Sequence, residues 1–314
     1  MKNQKYLPEG FLTDTAENAE ALSSQASLER AMRDGKILEA PAVMCDSELN
    51  VTVDLGCMKG VIPREEAALC CDGTQVKDIA IITRVGKPVC FTVMSIGKDF
   101  YGQPVAHLSR RAAQKACTDE FLDTLRAGDI IDARVTHLEH FGAFVDIGCG
   151  IVSLLSIDCI SVSRITHPRD RFRVGDRIKC VIKSIDRESG RIYVTHKELL
   201  GTWEQNAGRF SIGQTVAGIV RSVEDYGIFV ELTPNLAGLA EYKDGITVGQ
   251  SAAVYIKNMV GQRMKIKLVL IDSSPAPVSP EPFNYFLPES GHIDRWKYSP
   301  DECDKMIESF FDAS

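Results

Sequence analysis

The sequence predicts a mainly β protein: three tandem five-stranded barrels joined by α-helical linkers, with an N-terminal helix and an acidic C-terminal extension. Three observations carry this prediction. A short β-rich segment recurs three times, as Glu48–Gly56 (ELNVTVDLG), His140–Gly148 (HFGAFVDIG) and Asp225–Thr233 (DYGIFVELT). Each alternates with a period of two, the mark of a half-buried strand. Each is followed by a short apolar run opening on glycine, at Gly60, Gly150 and Gly238.

The elements follow in order. Residues 1–35 form a helical segment, with an amphipathic pattern over 15–33. Residues 36–111 hold the first and most divergent repeat, and 112–126 a linker rich in helix-forming residues. Residues 127–197 hold the second repeat. It opens with Gly128–Val135 (GDIIDARV) and closes with strands over 176–185 and 191–195. A second helical linker spans 198–210, where Leu199, Leu200 and Trp203 stand at helical spacing and Trp203 fills a core or interface. The third repeat, 211–271, opens with Gly213–Val220 (GQTVAGIV) and closes with strands over 249–257 and 265–270. Five short strands in about 70 residues suit a small closed barrel, and closure leaves no sheet edge exposed. Residues 272–314 are a proline-rich linker and an acidic tail, with a helix over 301–311 that folds back or binds a partner.

Composition narrows the function classes. No apolar run is long enough to span a membrane, and the first residues carry no secretory h-region. Ten cysteines lie scattered without CxxC pairs or histidines at zinc-ligand spacing, so they are expected to be reduced, mostly buried thiols of a cytoplasmic protein. No GxSxG elbow, P-loop or HExxH motif is present, and no enzyme activity, cofactor, metal or small-molecule substrate is expected. The net charge is −7, but it is unevenly spread. Residues 271–314 hold nine acidic and three basic residues, whereas 163–197 hold ten basic and four acidic. Local charge sets the field a phosphate meets, so the second repeat is the candidate cationic surface.

Strand alternation defines a candidate face. Ala143, Val145 and Ile147 point inward in repeat two, leaving Phe144 and Asp146 outside. Repeat three places Ile228, Val230 and Leu232 inside, and Phe229 and Glu231 outside. Phe141 and Tyr226 precede these rings by three residues, and the glycines between permit a bend that brings each pair to one face. On the closing strands, Ile192 and Val194 point in and Arg191 and Tyr193 out; Ile266 and Leu268 point in and Lys265 and Lys267 out. Lys183 and Lys257 occupy matching positions. Exposed rings beside cations suit unpaired nucleic acid, since bases stack on the rings and phosphates meet the lysines. The competing reading packs the rings against a neighbouring repeat or linker. His137 and His140 are read as surface residues, spaced poorly for zinc.

The ordered set Phe141–Val145 (FGAFV), Gly150-Ile-Val, Val174-Gly-Asp, Ile185-Asp186 and Arg191–Thr195 (RIYVT) resembles the RNA-binding repeat of the bacterial small-subunit ribosomal protein S1 family. Residues 213–270 resemble it well and 36–111 weakly. The resemblance implies an OB-fold for each repeat, no cofactor, and binding of single-stranded RNA or mRNA in translation. The implied RNA-binding set is Phe141, Phe144, Lys183, Asp186 and Arg191 in repeat two, with Tyr226, Phe229, Lys257 and Lys265 in repeat three. A family histidine position falls on Ser153 in repeat two, Glu241 in repeat three and Pro63 in repeat one. Repeat one has Leu49 and Thr52 in place of the rings, so it is expected to dock protein, the small ribosomal subunit being the candidate, rather than read RNA. An accessory role in RNA decay or processing, or a protein-binding scaffold, is the alternative.

Overall fold

The computed structural model describes residues 5–69, 76–275 and 283–311. Each repeat folds as a closed five-stranded barrel. Barrel one comprises β1 (Leu38–Cys45), β2 (Val51–Asp54), β3 (Lys59–Ile62), β4 (Pro88–Lys98) and β5 (Pro104–Ser109). Barrel two comprises β6 (Ile130–Glu139), β7 (Gly142–Asp146), β8 (Val152–Ser156), β9 (Arg177–Asp186) and β10 (Arg191–Thr195). Barrel three comprises β11 (Thr215–Glu224), β12 (Gly227–Thr233), β13 (Leu236–Ala240), β14 (Ser251–Val260) and β15 (Lys265–Ser274). The neighbour order is the same in all three: first, second, third, fifth, fourth, and back to the first. The third and fifth strands run parallel in each. The closed barrels are those that the strand pattern predicts, in the OB-type arrangement that the resemblance implies.

The chain packs as two compact units. The first contains Met1–Leu125, Asp132–Arg134 and Val145–Ser153; the second contains Arg126–Ile131, Val135–Phe144 and Leu154–Ser314.

In the first unit, Val51, Val53 and Leu55 are buried as their alternation requires, around Phe91. The predicted N-terminal helix is two helices, α1 (Ala16–Leu22) and α2 (Gln25–Arg33). Ser24 accepts the Ser27 N–H as an N-cap, so the chain restarts a helix there instead of continuing one. A short helix, α3 (Asp78–Ile82), precedes β4, and α4 (Arg110–Glu120) follows β5 with Ser109 as its cap. Asp146, predicted to face water, is buried instead. Its carboxylate accepts the N–H groups of Glu9 (2.7 Å), Gly148 (2.9 Å) and Gly150 (3.0 Å). Glu9 in turn forms an ion pair with Arg110 at 2.7 Å, both side chains 6% exposed. A distant backbone segment thus supplies what alternation cannot reveal. Burial, with the Glu9 charge beside it, pushes the Asp146 carboxyl up to about 7.

In the second unit, Ile228 and Val230 are buried, but Leu232 is only half-buried, and Glu231, predicted to face water, is buried. A register shift between Glu231 and Thr233 makes Leu232 the extra residue of a bulge and turns Thr233 inward. Glu231 is stabilised there by Arg171 and by a two-pronged contact from Arg221 at 3.0 and 3.1 Å. Arg171 is therefore withdrawn from the cationic run, being 4% exposed. Ile192 is half-buried where full burial was expected, while Val194, Ile266 and Leu268 are buried as predicted. The second linker contains a single-turn helix, α5 (Trp203–Ala207), with a capping box between Thr202 and Gln205. Trp203 lies in the core of barrel three.

The C-terminal extension contains no helix among its described residues. Glu308–Phe310 (β17) pairs instead with Arg295–Lys297 (β16), and Ser299 closes the intervening loop by bonding to Lys305 and Ile307. Trp296 and Tyr298 join the core of barrel three, which outweighs the local helical pattern. The tail does fold back. Phe283 and Tyr285 pack on Phe172 and His196, and residues 276–282 of the predicted linker lie outside the described residues. Eight cysteines are described, all free and six of them buried; Cys70 and Cys71 lie outside the described residues. Among the described residues no helix is long and apolar enough to cross a membrane.

Candidate nucleic-acid interface

The two predicted aromatic pairs exist, and they share one geometry. Phe141 and Phe144 meet edge to face, with centroids 6.0 Å apart and planes at 89°. Tyr226 and Phe229 meet at 6.2 Å and 86°. None of the four rings is buried, and Phe141 and Tyr226 are 56% and 68% exposed. The second ring of each pair sits on a strand, while the first sits in the hairpin turn before it. That position, rather than a bulge, turns both rings the same way. The glycine between them permits a close approach. A Cβ at Gly142 would stand 2.5 Å from the Leu155 carbonyl oxygen, and one at Gly227 2.5 Å from that of Ala240. Thr136 donates to the Phe144 carbonyl at 3.0 Å, fixing the strand beneath the pair.

Strand pairing makes the cationic positions equivalent. Between β9 and β10, Tyr193 pairs with Ser184 and Val194 with Ile182, so Lys183 is the extra residue of a bulge. Between β14 and β15, Lys267 pairs with Asn258 and Leu268 with Ile256, leaving Lys257 as the extra residue. Both lysines are exposed, and Lys183 Nζ lies 3.2 Å from the Cys159 sulfur. Arg191 pairs with Asp186 and Lys265 with Val260, so these too are equivalent and exposed. The Asp186 carboxylate is engaged by its own turn, accepting the N–H groups of Glu188 and Ser189 at 3.1 and 3.2 Å. Its role is to shape the β9–β10 turn beside Arg191.

The register corrects one residue assignment. Tyr193, Lys267 and His107 are equivalent, and they pair with Leu154, Leu239 and Val61. Two residues further on stand Ser156, Glu241 and Pro63, so the family histidine position in barrel two is Ser156. Ser153 is buried, at the position of Gly60 and Gly238. The sequence matched Gly150 to those two glycines, but Gly150 belongs to a turn, at φ +76°, whereas they lie within strands.

Sequence reading left His137 out of the candidate set. Its ring lies 6.2 Å from that of Phe144 at 30°, with Nε2 2.7 Å from Glu139. His140 packs edge-on against His167 at 4.7 Å. The period-two burial of Ile131, Ala133 and Val135 breaks off before His137, and only the fold shows which ring it joins.

Residues 124–197 match the model of the S1 RNA binding domain. Small ribosomal subunit protein bS1 of Staphylococcus aureus (strain COL) is 33% identical over 179 residues, covering 55% of this chain and 45% of that protein. The bS1 protein of Staphylococcus saprophyticus is 35% identical over 127 residues, covering 40% of this chain and 32% of its own. Barrel two is thus similar to the S1 RNA binding domain, and about half of the chain is similar to bS1 proteins. The matches span less than half the length of these bS1 relatives. A crystal structure of a multidomain protein with nucleic acid binding domains from Streptococcus pneumoniae aligns over 76% of this chain and 74% of its own, at 15% identity and a TM-score of 0.25.

The S1 RNA binding domain match coincides with barrel two, which holds the Phe141–Phe144 pair, the Lys183 bulge and Arg191. Barrel three repeats the arrangement with Tyr226–Phe229, Lys257 and Lys265.

Proposed function

We propose that this protein holds single-stranded RNA, mRNA in particular, on the aromatic and basic faces of barrels two and three. It would act by binding alone, in the cytoplasm, as a ribosomal S1-like factor that brings RNA to the small ribosomal subunit. The observation that carries this reading is the repeated edge-to-face pair beside a bulged lysine. Two independent barrels place a ring pair and a cation at equivalent positions. Open ring faces accept bases of any identity, at about 1–3 kcal/mol per stacked base by alanine substitution. The lysines and Arg191 meet phosphates and make the binding salt-sensitive. Two such modules on one chain gain affinity through effective concentration.

Fluorescence titration with a single-stranded RNA oligomer at two salt concentrations tests the RNA-binding reading. Sequence-tolerant binding that weakens steeply with salt is expected; binding absent at both concentrations contradicts it. Co-sedimentation of the chain with small ribosomal subunits tests the ribosomal role, and failure to co-sediment argues for RNA binding elsewhere in the cell.

A further inference from the structure

Barrel one lacks rings at the two platform positions. Leu49 turns the hairpin at φ +68° and packs on the barrel core, and Thr52 stands where the second ring would be. The same barrel carries an aromatic pair at another edge. The β4–β5 hairpin ends in Phe100 and Tyr101, which are 96% and 83% exposed. Their rings meet at 5.5 Å and 88°, close to the geometry of the pairs in barrels two and three.

The tip is built, not loose. Asp99 Oδ1 accepts the N–H groups of Tyr101 and Gln103, both at 2.9 Å. Backbone bonds from Asp99 to Gln103 (2.8 Å) and from Gly102 to Asp99 (3.0 Å) close the turn. Gly102 takes φ +79°, where a side chain would be strained. Lys98 pairs with Pro104 at the base of the tip, and Lys59 pairs with Val105 on the neighbouring strand; both lysines are exposed. Met94, at the bulge position of Lys183 and Lys257, extends the exposed apolar surface of β4.

We propose that Phe100 and Tyr101 are a third base-stacking site, so that barrel one also takes unpaired RNA nucleotides at its hairpin tip. The proposal rests on reading the pairs of barrels two and three as stacking platforms. It departs from the expectation that barrel one only docks protein. Three features favour bases over a protein partner. The edge-to-face pair leaves ring faces bare for stacking. Two lysines flank it for the phosphates. RNA held by the other barrels of the same chain raises the effective concentration at even a weak third site.

The test uses the full chain and oligouridylates of about 8 and about 40 nucleotides, since one OB barrel spans about 4–16. Phe100→Ala/Tyr101→Ala should weaken binding of the long RNA by about fivefold or more and leave the short one unchanged. Phe144→Ala/Phe229→Ala should weaken both. Because the tip rings are exposed, an unchanged circular dichroism spectrum is expected for the tip variant. Unaltered long-RNA binding in the tip variant, with loss in the platform variant, overturns the third site and leaves the platform reading standing. That outcome together with lost co-sedimentation with small ribosomal subunits assigns the tip to a protein surface instead. Unaltered binding in both variants overturns both readings.

Discussion

Lys183 of barrel two and Lys257 of barrel three are each the extra residue of a β-bulge between the fourth and fifth strands. A bulge releases one side chain from the ladder and re-aims it. Each lysine shares its barrel with an exposed aromatic pair. Changing both to Gln should weaken RNA binding about equally across sequences. It should also lower the magnitude of the salt slope, by about 0.7 per lost phosphate contact on single strands. Titration over a range of salt concentrations checks this; an unchanged slope would remove both lysines from the interface.

Glu231 accepts charge-assisted bonds from two arginines while itself 4% exposed. Replacing it with Gln keeps the shape but takes the ion-pair partner from the buried Arg171 and leaves Arg221 with Asp170 at 3.7 Å. Removing one partner of a buried pair typically costs about 3–5 kcal/mol. Chemical denaturation should show Glu231→Gln destabilised by about that amount. A variant as stable as the parent would mean that the pair is dispensable.

Burial lowers His196 to about 4, since the charged ring would be enclosed by Phe172, Phe283 and Tyr285. The neutral ring bonds the Ile160 carbonyl at 2.9 Å and the Tyr285 hydroxyl at 3.1 Å. The unfolded chain takes up the proton near the ordinary histidine value, about 6.5, whereas the folded chain does so only near 4. This stability is therefore complete above about pH 6.5 and is lost as pH falls toward 4, amounting to ~3 kcal/mol. Denaturation between pH 7 and 4.5 should show a shallower pH dependence in His196→Asn than in the parent. Equal slopes would exclude His196 as the source.

Adding a methyl group at Gly227 tests the close approach beneath the ring pair. The residue sits at φ +153°, and a Cβ would lie 2.5 Å from a backbone carbonyl that cannot move aside freely. Gly227→Ala should destabilise barrel three by more than about 1 kcal/mol and displace the Tyr226–Phe229 pair. Thermal unfolding and RNA titration read the two effects separately, and a neutral variant would show that the strands can separate at no cost.

What the sequence reveals here follows from what periodicity encodes. The three barrels, the inward Val51, Val53, Val145 and Val230, and the outward Phe144 and Phe229 follow from a period of two, whereas Phe141 and Tyr226 join them from the hairpin turn. Lys183 and Lys257 align because their strands carry the same bulge. The failures arise where a distant partner decides. Asp146 and Glu231 are buried because Glu9 and the Arg171–Arg221 pair meet them, and alternation cannot anticipate such partners. The 301–311 segment has a helical pattern, but Trp296 and Tyr298 hold its neighbour in the barrel core and β16 pairs with it. Phe100 and Tyr101 escaped notice because a single hairpin tip has no period to read.

The platform itself is tested most directly by Phe144→Ala, Phe229→Ala and the double variant, titrated with single-stranded RNA beside circular dichroism and thermal unfolding of each. Each truncation should reduce affinity by about fivefold or more, with the double variant weakest and the folded fraction unchanged. Full affinity in a folded double variant would contradict the account, as would losses that merely follow the fraction unfolded.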